Sequence, residues 1–440
     1  MTDGTYYIET YGCQMNDHDS EKMAELLEGI GLTAADSEEE ADVIIINTCS
    51  IREKAEHKVY SALGKLKSLK ARNPRVVAFA AGCVAQQEKD KLLKRVSDLD
   101  AVLGTHRISE LPELVQQIRK TGERVVATDF SHDTASLHIP APHRGRSPVC
   151  SFVTIMQGCS NFCAYCVVPH TRGPEQSRPE EEILGEVRAL AARGVKEVTL
   201  LGQNVNAYGK DLVGKTVFPE LLRRLDRIDG LERIRFTTSH PRDFHEDLAL
   251  VMRDLASVCE HVHLPLQSGS NRVLSAMRRG YSREEYLEKI AMLRERVPAA
   301  SVTADIIVGF PGETEEDFEM TISALETIRF DQIFSFKYSR RPGTAARRLP
   351  GQLPDEVKAE RLARVHAVQD VITRDYHEAA RGTGEEILVE GFRPGTGQAF
   401  GRTRTNKIVN LDLCNGLHVG DVVRAKITRG LKHSLTGTRI

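Results

Sequence analysis

Cys159, Cys163 and Cys166, in the stretch QGCSNFCAYCVVPHTRG, follow a CxxxCxxC spacing. Three thiolates so placed can hold three irons of a 4Fe–4S cube and leave the fourth iron open to a substrate. Zinc is the alternative, but structural zinc takes four closed ligands, and His170 is the one nearby residue that could serve as the fourth. A second set, Cys13, Cys49 and Cys83, lies in ETYGCQMN, INTCS and AAGC, at separations of 36 and 34 residues. Each of these follows a strand-like run, and Gly12 and Gly82 stand before two of them, as tight turns require. Three buried cysteines packed as small apolar residues would be the plainer account. A second 4Fe–4S cluster with one open iron fits the shared topological place better. Cys150, Cys259 and Cys414 show no such pattern and read as structural.

The elements that must position these thiols fall into three blocks. In residues 1–130, Tyr6–Glu9, Val43–Asn47, Val76–Ala80, Ala101–Gly104 and Arg124–Thr128 read as strands. Glu21–Gly29, Ile51–Ser68, Gln87–Val96 and Leu111–Lys120 read as helices. Alternation of this kind predicts a parallel α/β sheet, which gathers strand C-termini at one edge and with them Cys13, Cys49 and Cys83. Residues 131–150, rich in Ser, His and Pro, read as a linker.

Residues 151–380 hold six strand-like runs separated by helical segments: Phe152–Met156, Glu197–Leu201, Arg233–Thr237, His261–Leu266, Val302–Val308 and Gln332–Tyr338. Six β/α units fall short of the eight that close a barrel, so an open, partial barrel is expected. The CxxxCxxC loop follows its first strand. Polar or Gly-rich sets follow the others: Gln203, Asn204 and Asn206; Ser239, His240 and Arg242; Gln267, Ser268 and Gly269; Gly309 to Thr314; Tyr338, Ser339 and Arg340. Any one set could be a capped turn. Their common position suggests one ligand mouth.

Residues 381–440 turn to short β-rich runs broken by Gly, the pattern of a small all-β barrel. This block carries ten Lys or Arg against five Asp or Glu, while the whole chain of 440 residues has a net charge of −2. A basic module on a mildly acidic body suits an appended RNA-binding domain, and an ordinary basic surface would look the same. There is no apolar run of the ~18 residues that a membrane span needs, and the N-terminal residues lack the basic and then apolar pattern of a secretory signal. Nine cysteines in a long cytoplasmic chain favour metal or chemistry over disulfides.

With these motifs in view, the chain resembles the methylthiotransferase family of radical S-adenosylmethionine enzymes. The resemblance rests on YGCQMNDHDS, INTCSIREKA, AAGCVAQQ, QGCSNFCAYCVVPHTRG and HLPLQSGS, and covers nearly the whole chain. The last block, with EILVEG, GRTRTNK and SLTG, resembles the TRAM domain. The implied architecture is an N-terminal α/β domain with an auxiliary cluster, a central partial (β/α)6 radical S-adenosylmethionine barrel and a C-terminal RNA-binding β-barrel. The implied cofactors are two 4Fe–4S clusters and S-adenosylmethionine. Cys159, Cys163 and Cys166 would cleave the cofactor, with Tyr165 at the family's aromatic position and Gln203, Asn204, Ser239, Gln267 and Gly309 around the cofactor. Gly202-Gln203-Asn204 departs from the acidic version of the motif usual at that place.

YGCQMN and CVVPHTRG are most similar to members acting on the prenylated adenosine 3′ of the anticodon. One S-adenosylmethionine would methylate sulfur at the Cys13/Cys49/Cys83 cluster, and a second would yield the radical that abstracts hydrogen from C2 of the adenine. An aromatic C–H has no acidic proton, so a cofactor must supply the reactive species. Arg402, Arg404, Lys407, Arg424 and Lys426 are candidates for phosphate contacts in the anticodon loop of tRNA. A flavodoxin or ferredoxin would donate electrons, and a monomer is expected. The rivals are methylthiotransfer to threonylcarbamoyl-adenosine or to a ribosomal-protein aspartate, and a non-catalytic cluster protein that binds RNA.

Overall fold

The computed structural model describes residues 4–50, 53–130, 137, 139, 148–412 and 416–440, with the side chains of 53–57 left out. Most of the expected linker, and Cys414, lie outside these residues. The chain divides into two compact units. One comprises residues 1–144, 156–160 and 166–178; the other comprises 145–155, 161–165 and 179–440.

The first unit is built on a parallel sheet. Its strands are β1 (Thr5–Thr10), β2 (Thr33–Ala34), β3 (Val43–Thr48), β4 (Val77–Ala81), β5 (Ala101–Leu103) and β6 (Val125–Ala127), in the order β2-β1-β3-β4-β5-β6. The central strand shows why. In the run VIIINT, Val43 and Ile45 enter one core while Ile44 and Ile46 enter the other. Both faces are therefore covered, as a parallel sheet requires. Met23 and Leu27 of α1 (Gln14–Gly29) pack on the first face. Val59, Leu63 and Leu66 of α2 (Glu53–Arg72) pack on the second.

Two helices differ from expectation. α1 begins at Gln14 rather than Glu21, because Asn16, Asp19 and Lys22 are polar yet buried and disguise the apolar face. The helix expected over Gln87–Val96 is two helices, α3 (Gly82–Glu88) and α4 (Asp90–Arg95), broken where Lys89 takes φ +51.

The second unit carries six parallel strands in two three-stranded sheets: β7 (Cys150–Thr154), β10 (Glu197–Leu201) and β11 (Arg233–Phe236), then β12 (His261–His263), β13 (Ser301–Val308) and β14 (Gln332–Lys337). A short antiparallel pair of the first unit, β8 (Met156–Gln157) and β9 (Gln176–Ser177), accounts for the intervening numbers. A parallel bridge from Ile234 to Val258, and the bond from Ser239 N to His263 O at 3.2 Å, link the two sheets. This is the expected open barrel of six β/α units.

Strands β15 (Gly384–Phe392), β16 (Ala399–Thr403), β17 (Ile408–Leu411), β18 (Val422–Gly430) and β19 (Leu435–Arg439) close into a barrel. Ile387, Val389, Val409, Ala425 and Ile427 are among the residues that fill it. Along β18 the odd residues Val423, Ala425 and Ile427 are buried and Arg424 and Lys426 are exposed, the period of two of a strand with one wet face.

Candidate functional site

The register of the first sheet brings the N-terminal thiols together. Thr10 pairs with Asn47, and Asn47 with Ala81, so β1, β3 and β4 end level with one another. Cys13, Cys49 and Cys83 follow within three residues of those ends. Gly82 makes the last placement possible. Its φ is +87, and a Cβ there would lie 2.4 Å from Asn47 Oδ1 and 2.5 Å from the Thr48 carbonyl oxygen.

A buried polar ladder stitches the strand ends. Asn16 Nδ2 donates to Thr48 O at 3.1 Å and to Asn47 Oδ1 at 3.2 Å, and Asn47 Nδ2 donates to Asn16 O at 2.9 Å and Ser20 Oγ at 2.8 Å. Thr48 Oγ1 donates to Ala81 O at 2.5 Å and accepts from Val84 N at 3.1 Å, which fixes the start of α3 around Cys83. These residues were not among those expected to function. They lie within YGCQMNDHDS and INTCSIREKA, but what marks this role is polarity at positions the sheet buries.

The electrostatics suit thiolates. The Cys13 thiol is lowered to about 6, first by its hydrogen bond with Cys49 and also by the Arg172 guanidinium, against the opposing effect of burial. Cys83 is wholly buried and its thiol is pushed up by that burial, with Arg172 pulling the other way. Arg172 is itself buried, and it donates to Asp19 Oδ2 at 2.6 Å. Burial works against its charge, but Asp19 and the Cys83 and Cys13 thiols outweigh it and keep the guanidinium protonated. Its Nη1 finds no partner at hydrogen-bond geometry among the described residues. Three thiols at one edge, beside a buried cation with an open donor, fit an anionic thiolate-held cluster.

The CxxxCxxC loop contributes to both units. Cys159 and Cys166 lie in the first, Cys163 and Tyr165 in the second. In the first unit, Cys159 N donates to Gly173 O at 3.0 Å. Gly158 has φ +80, and a Cβ there would come within 1.9 Å of the Pro174 carbonyl oxygen. In the second unit, Ala164 N donates to Met277 O at 2.9 Å and Ala164 O accepts from Ala346 N at 2.8 Å. The buried Arg279 donates through Nη1 to Cys163 Sγ and Tyr165 Oη, each at 3.3 Å, and through Nη2 to Pro265 O at 3.2 Å.

At the strand ends of the second unit, Ser239 Oγ, His240 Nε2 and Gln267 Oε1 are buried and have no hydrogen-bond partner among the described residues. Gln267 holds φ +72, with its backbone bonded to Asp305 and Ile307. Polar atoms left unmatched in this way mark a place for a polar ligand, and an amino- and carboxylate-bearing cofactor fits it. His240 Nδ1 accepts from Arg242 N at 3.2 Å, so Nε2 carries the proton. Burial and then the charge of Arg279 lower this imidazole to about 2, and it stays neutral.

Other expected residues are already engaged. Asn204 donates to Asp243 Oδ2 at 2.8 Å and accepts from His240 N at 3.1 Å. Gly309 N donates to Glu313 Oε2 at 2.6 Å, inside a turn that Arg361 closes. Gln203 is half-buried.

Three of the five basic candidates of the last barrel are held in ion pairs. Arg402 meets Glu390 at 3.3 Å, Arg404 grips Glu260 through Nε and Nη2 at 2.8 Å, and Lys407 meets Asp331 at 2.9 Å. Arg233 and Arg235 of β11 reach back to the carbonyl oxygens of Arg402 at 2.7 Å, Thr403 at 2.7 Å and Arg404 at 2.8 Å. The GRTRT stretch thus docks the barrel on β11. Arg424 and Lys426 are exposed and enter no ion pair among the described residues.

Comparison with known proteins agrees with this architecture. The model of the radical SAM superfamily matches residues 153–325, that of uncharacterized protein family UPF0004 residues 5–104, and that of the TRAM domain residues 378–440. Among solved structures, the radical S-adenosylmethionine methyltransferase TsrM from Kitasatospora setae is 14% identical with a TM-score of 0.58, over 78% of this chain and 75% of that one. The cobalamin-dependent radical enzyme OxsB is 11% identical with a TM-score of 0.54, over 84% of this chain and 56% of that one. At such identities these share the fold alone.

The class is therefore that of radical S-adenosylmethionine enzymes carrying a C-terminal TRAM barrel. Curated relatives called tRNA-2-methylthio-N(6)-dimethylallyladenosine synthase are much closer. That of Carboxydothermus hydrogenoformans is 48% identical over all of both chains. That of Geobacter metallireducens is 51% identical over 98% of this chain and 97% of the relative. The chain belongs to the tRNA-2-methylthio-N(6)-dimethylallyladenosine synthase family.

Proposed function

We propose that this chain converts N(6)-dimethylallyladenosine next to the tRNA anticodon to its 2-methylthio derivative, with one S-adenosylmethionine as methyl donor and one as radical source. The observation that carries this reading is the meeting of Cys13, Cys49 and Cys83 beside Arg172. An enzyme that only generates a radical needs one cluster. A second thiolate set at a sheet edge gives sulfur chemistry its own place.

When bound, the two clusters and S-adenosylmethionine supply the low-potential electron, the hydrogen-abstracting radical, the sulfur and the methyl group. The protein's part is to bind, orient and exclude water. Cys159, Cys163 and Cys166 would hold one cluster and Cys13, Cys49 and Cys83 the other. Ser239 and Gln267 offer unmatched polar atoms to S-adenosylmethionine, and Tyr165 and Gln203 complete that set. Asn204 acts indirectly, by holding His240, and Gly309 by shaping its turn. Among the basic candidates of the TRAM barrel, Arg424 and Lys426 are the ones we assign to tRNA phosphates.

Residues 1–130, 151–380 and 381–440 are read as the auxiliary-cluster, radical and RNA-binding parts, joined by a linker over 131–150. A cytoplasmic monomer reduced by flavodoxin or ferredoxin completes the reading. Among the described residues, no helix is long and apolar enough to cross a membrane.

The test is an anaerobic reaction of reconstituted protein with S-adenosylmethionine, sulfide, reductant and tRNA bearing isopentenyladenosine, followed by nucleoside mass spectrometry. A parallel reaction uses tRNA bearing threonylcarbamoyl-adenosine. One added methylthio group in the first reaction alone is expected. A gain in the second alone keeps the chemistry and overturns the substrate. Intact clusters that yield no 5′-deoxyadenosine overturn the enzyme itself.

A further inference from the structure

Arg279 is 5% exposed, and among the described residues it forms no ion pair with a carboxylate. Its partners are Cys163 Sγ, the hydroxyls of Tyr165 and Tyr281 (the latter at 3.1 Å) and the Pro265 carbonyl oxygen. A buried guanidinium without a counter-ion is costly, and native proteins pair such charges. Asp19 does this for Arg172. No acid among the described residues does it for Arg279, and the one candidate cluster ligand in its hydrogen-bond shell is Cys163. Tyr281, wholly engaged with Pro265 O and Leu266 O at 3.0 and 2.8 Å, is held neutral by its burial.

The geometry points to Arg279 as the fixed counter-ion of the Cys163 thiolate, a positioning residue that sets how readily the cluster on the CxxxCxxC loop is reduced. The inference rests on the reading that Cys163 ligates that cluster. Reduction adds one electron and one negative charge to a thiolate-held group. A permanent positive charge 3.3 Å from a ligand sulfur favours the more negative state, and burial leaves little water to screen it. Arginine suits the task because its planar fork serves Cys163, Tyr165 and Pro265 together and stays charged. Sequence could not reveal the pair, since 116 residues separate Arg279 from Cys163.

The test is an EPR-monitored redox titration of the full holoenzyme, with iron and sulfide content measured beside it. The cluster in question is identified as the one whose spectrum changes on adding S-adenosylmethionine. Arg279→Gln keeps donors and removes charge; Arg279→Lys keeps charge. Expected is a Gln variant with a full complement of iron and an equilibrium constant for reduction at least tenfold lower, a shift of about 59 mV toward negative potential. The Lys variant should fall on the wild-type side of that shift. A loaded Gln variant with an unmoved potential would overturn the inference and leave Arg279 a packing residue. Should the Gln variant fail to load, the Lys variant decides: loading with a near wild-type potential supports the role of charge, and failure like that of Gln overturns it. A wild-type protein with no cluster that responds to S-adenosylmethionine would instead refute the ligand assignment, a separate failure.

Discussion

The Arg172 guanidinium donates to the Asp19 carboxylate at 2.6 Å across 153 residues of sequence, with both side chains almost wholly buried. The pair ties the chain that leaves the CxxxCxxC loop to helix α1, whose N-cap is Cys13. Removing one partner strands a buried charge, a loss of roughly 3–5 kcal/mol. Asp19→Asn should therefore lower the urea midpoint of the metal-free protein strongly. Asp19→Leu combined with Arg172→Met should recover much of the loss, because an apolar pair of similar volume replaces both charges. A double-variant loss equal to the sum of the losses from Asp19→Leu and Arg172→Met alone would mean that the two residues do not act as a pair.

Arg404 and Glu260 form the corresponding clasp between the last barrel and the strands it docks on, about three-quarters buried on each side. Arg404→Glu sets two acids face to face and frees the Val258 carbonyl that Nη2 also holds at 2.7 Å. The expected cost is ~1–2 kcal/mol, with faster amide exchange along β16. Reversing Glu260→Arg as well should restore protection, because the charges are complementary again. Unchanged exchange in the single variant would show that the barrel is held elsewhere.

The same pairing separates docking charges from RNA charges. Arg424→Ala and Lys426→Ala should each reduce the slope of log affinity for tRNA against log salt by roughly 0.7–0.9, as expected when one fewer phosphate is neutralised. Arg402→Ala and Lys407→Ala should leave that slope unchanged while lowering stability. Filter binding across a salt series measures it, and the opposite ranking would return Arg402 and Lys407 to the RNA surface.

His240 and His261 make the protein sensitive to acid. His240 is lowered to about 2 by burial and by Arg279, and His261 lies well below its usual value through burial and then Arg235. Both stay neutral when folded, whereas an unfolded imidazole takes up a proton near ~6.5. The unfolded chain thus binds more protons as pH falls below that value. Stability contributed by these groups is full above it and declines toward the folded value, by up to ~1.4 kcal/mol per pH unit for each group. The difference in unfolding free energy between His240→Gln and wild type should shift in the variant's favour between pH ~6.5 and ~5. A pH-independent difference would show that His240 takes up its proton alike in the folded and unfolded chain.

Much of this was legible in the sequence, for identifiable reasons. Val43–Ile46 is a run of β-branched residues that can scarcely be anything but a buried strand, and cysteines just past such runs had to meet once the sheet was parallel. What escaped was whatever depends on a partner distant in sequence. Asn16 and Asp19 fall before the helix expected over Glu21–Gly29, and only their partners Asn47 and Arg172 explain why such polar residues are buried in α1. Arg404 looked like a phosphate ligand because nothing in GRTRT announces Glu260. The break at Lys89 is one positive φ within a good helical pattern, and helical periodicity does not register it.

Gly82 joins the fold most directly to the chemistry. It leaves β4 at φ +87 and hands the chain to Cys83, and a Cβ there would strike Asn47 Oδ1 at 2.4 Å and the Thr48 carbonyl oxygen at 2.5 Å. Those atoms belong to the ladder that aligns the strand ends carrying Cys13 and Cys49. Gly82→Ala must therefore hold a strained left-handed backbone, at a cost of order 1–3 kcal/mol, and also push that ladder aside and separate the thiols. The displacement should halve the iron content of the reconstituted protein. The CxxxCxxC loop lies outside the disturbed ladder, so S-adenosylmethionine should still be cleaved to 5′-deoxyadenosine while methylthio transfer to tRNA is abolished. Full iron with intact transfer in this variant would show that the three strand ends do not need to stay in register for the N-terminal thiols to work.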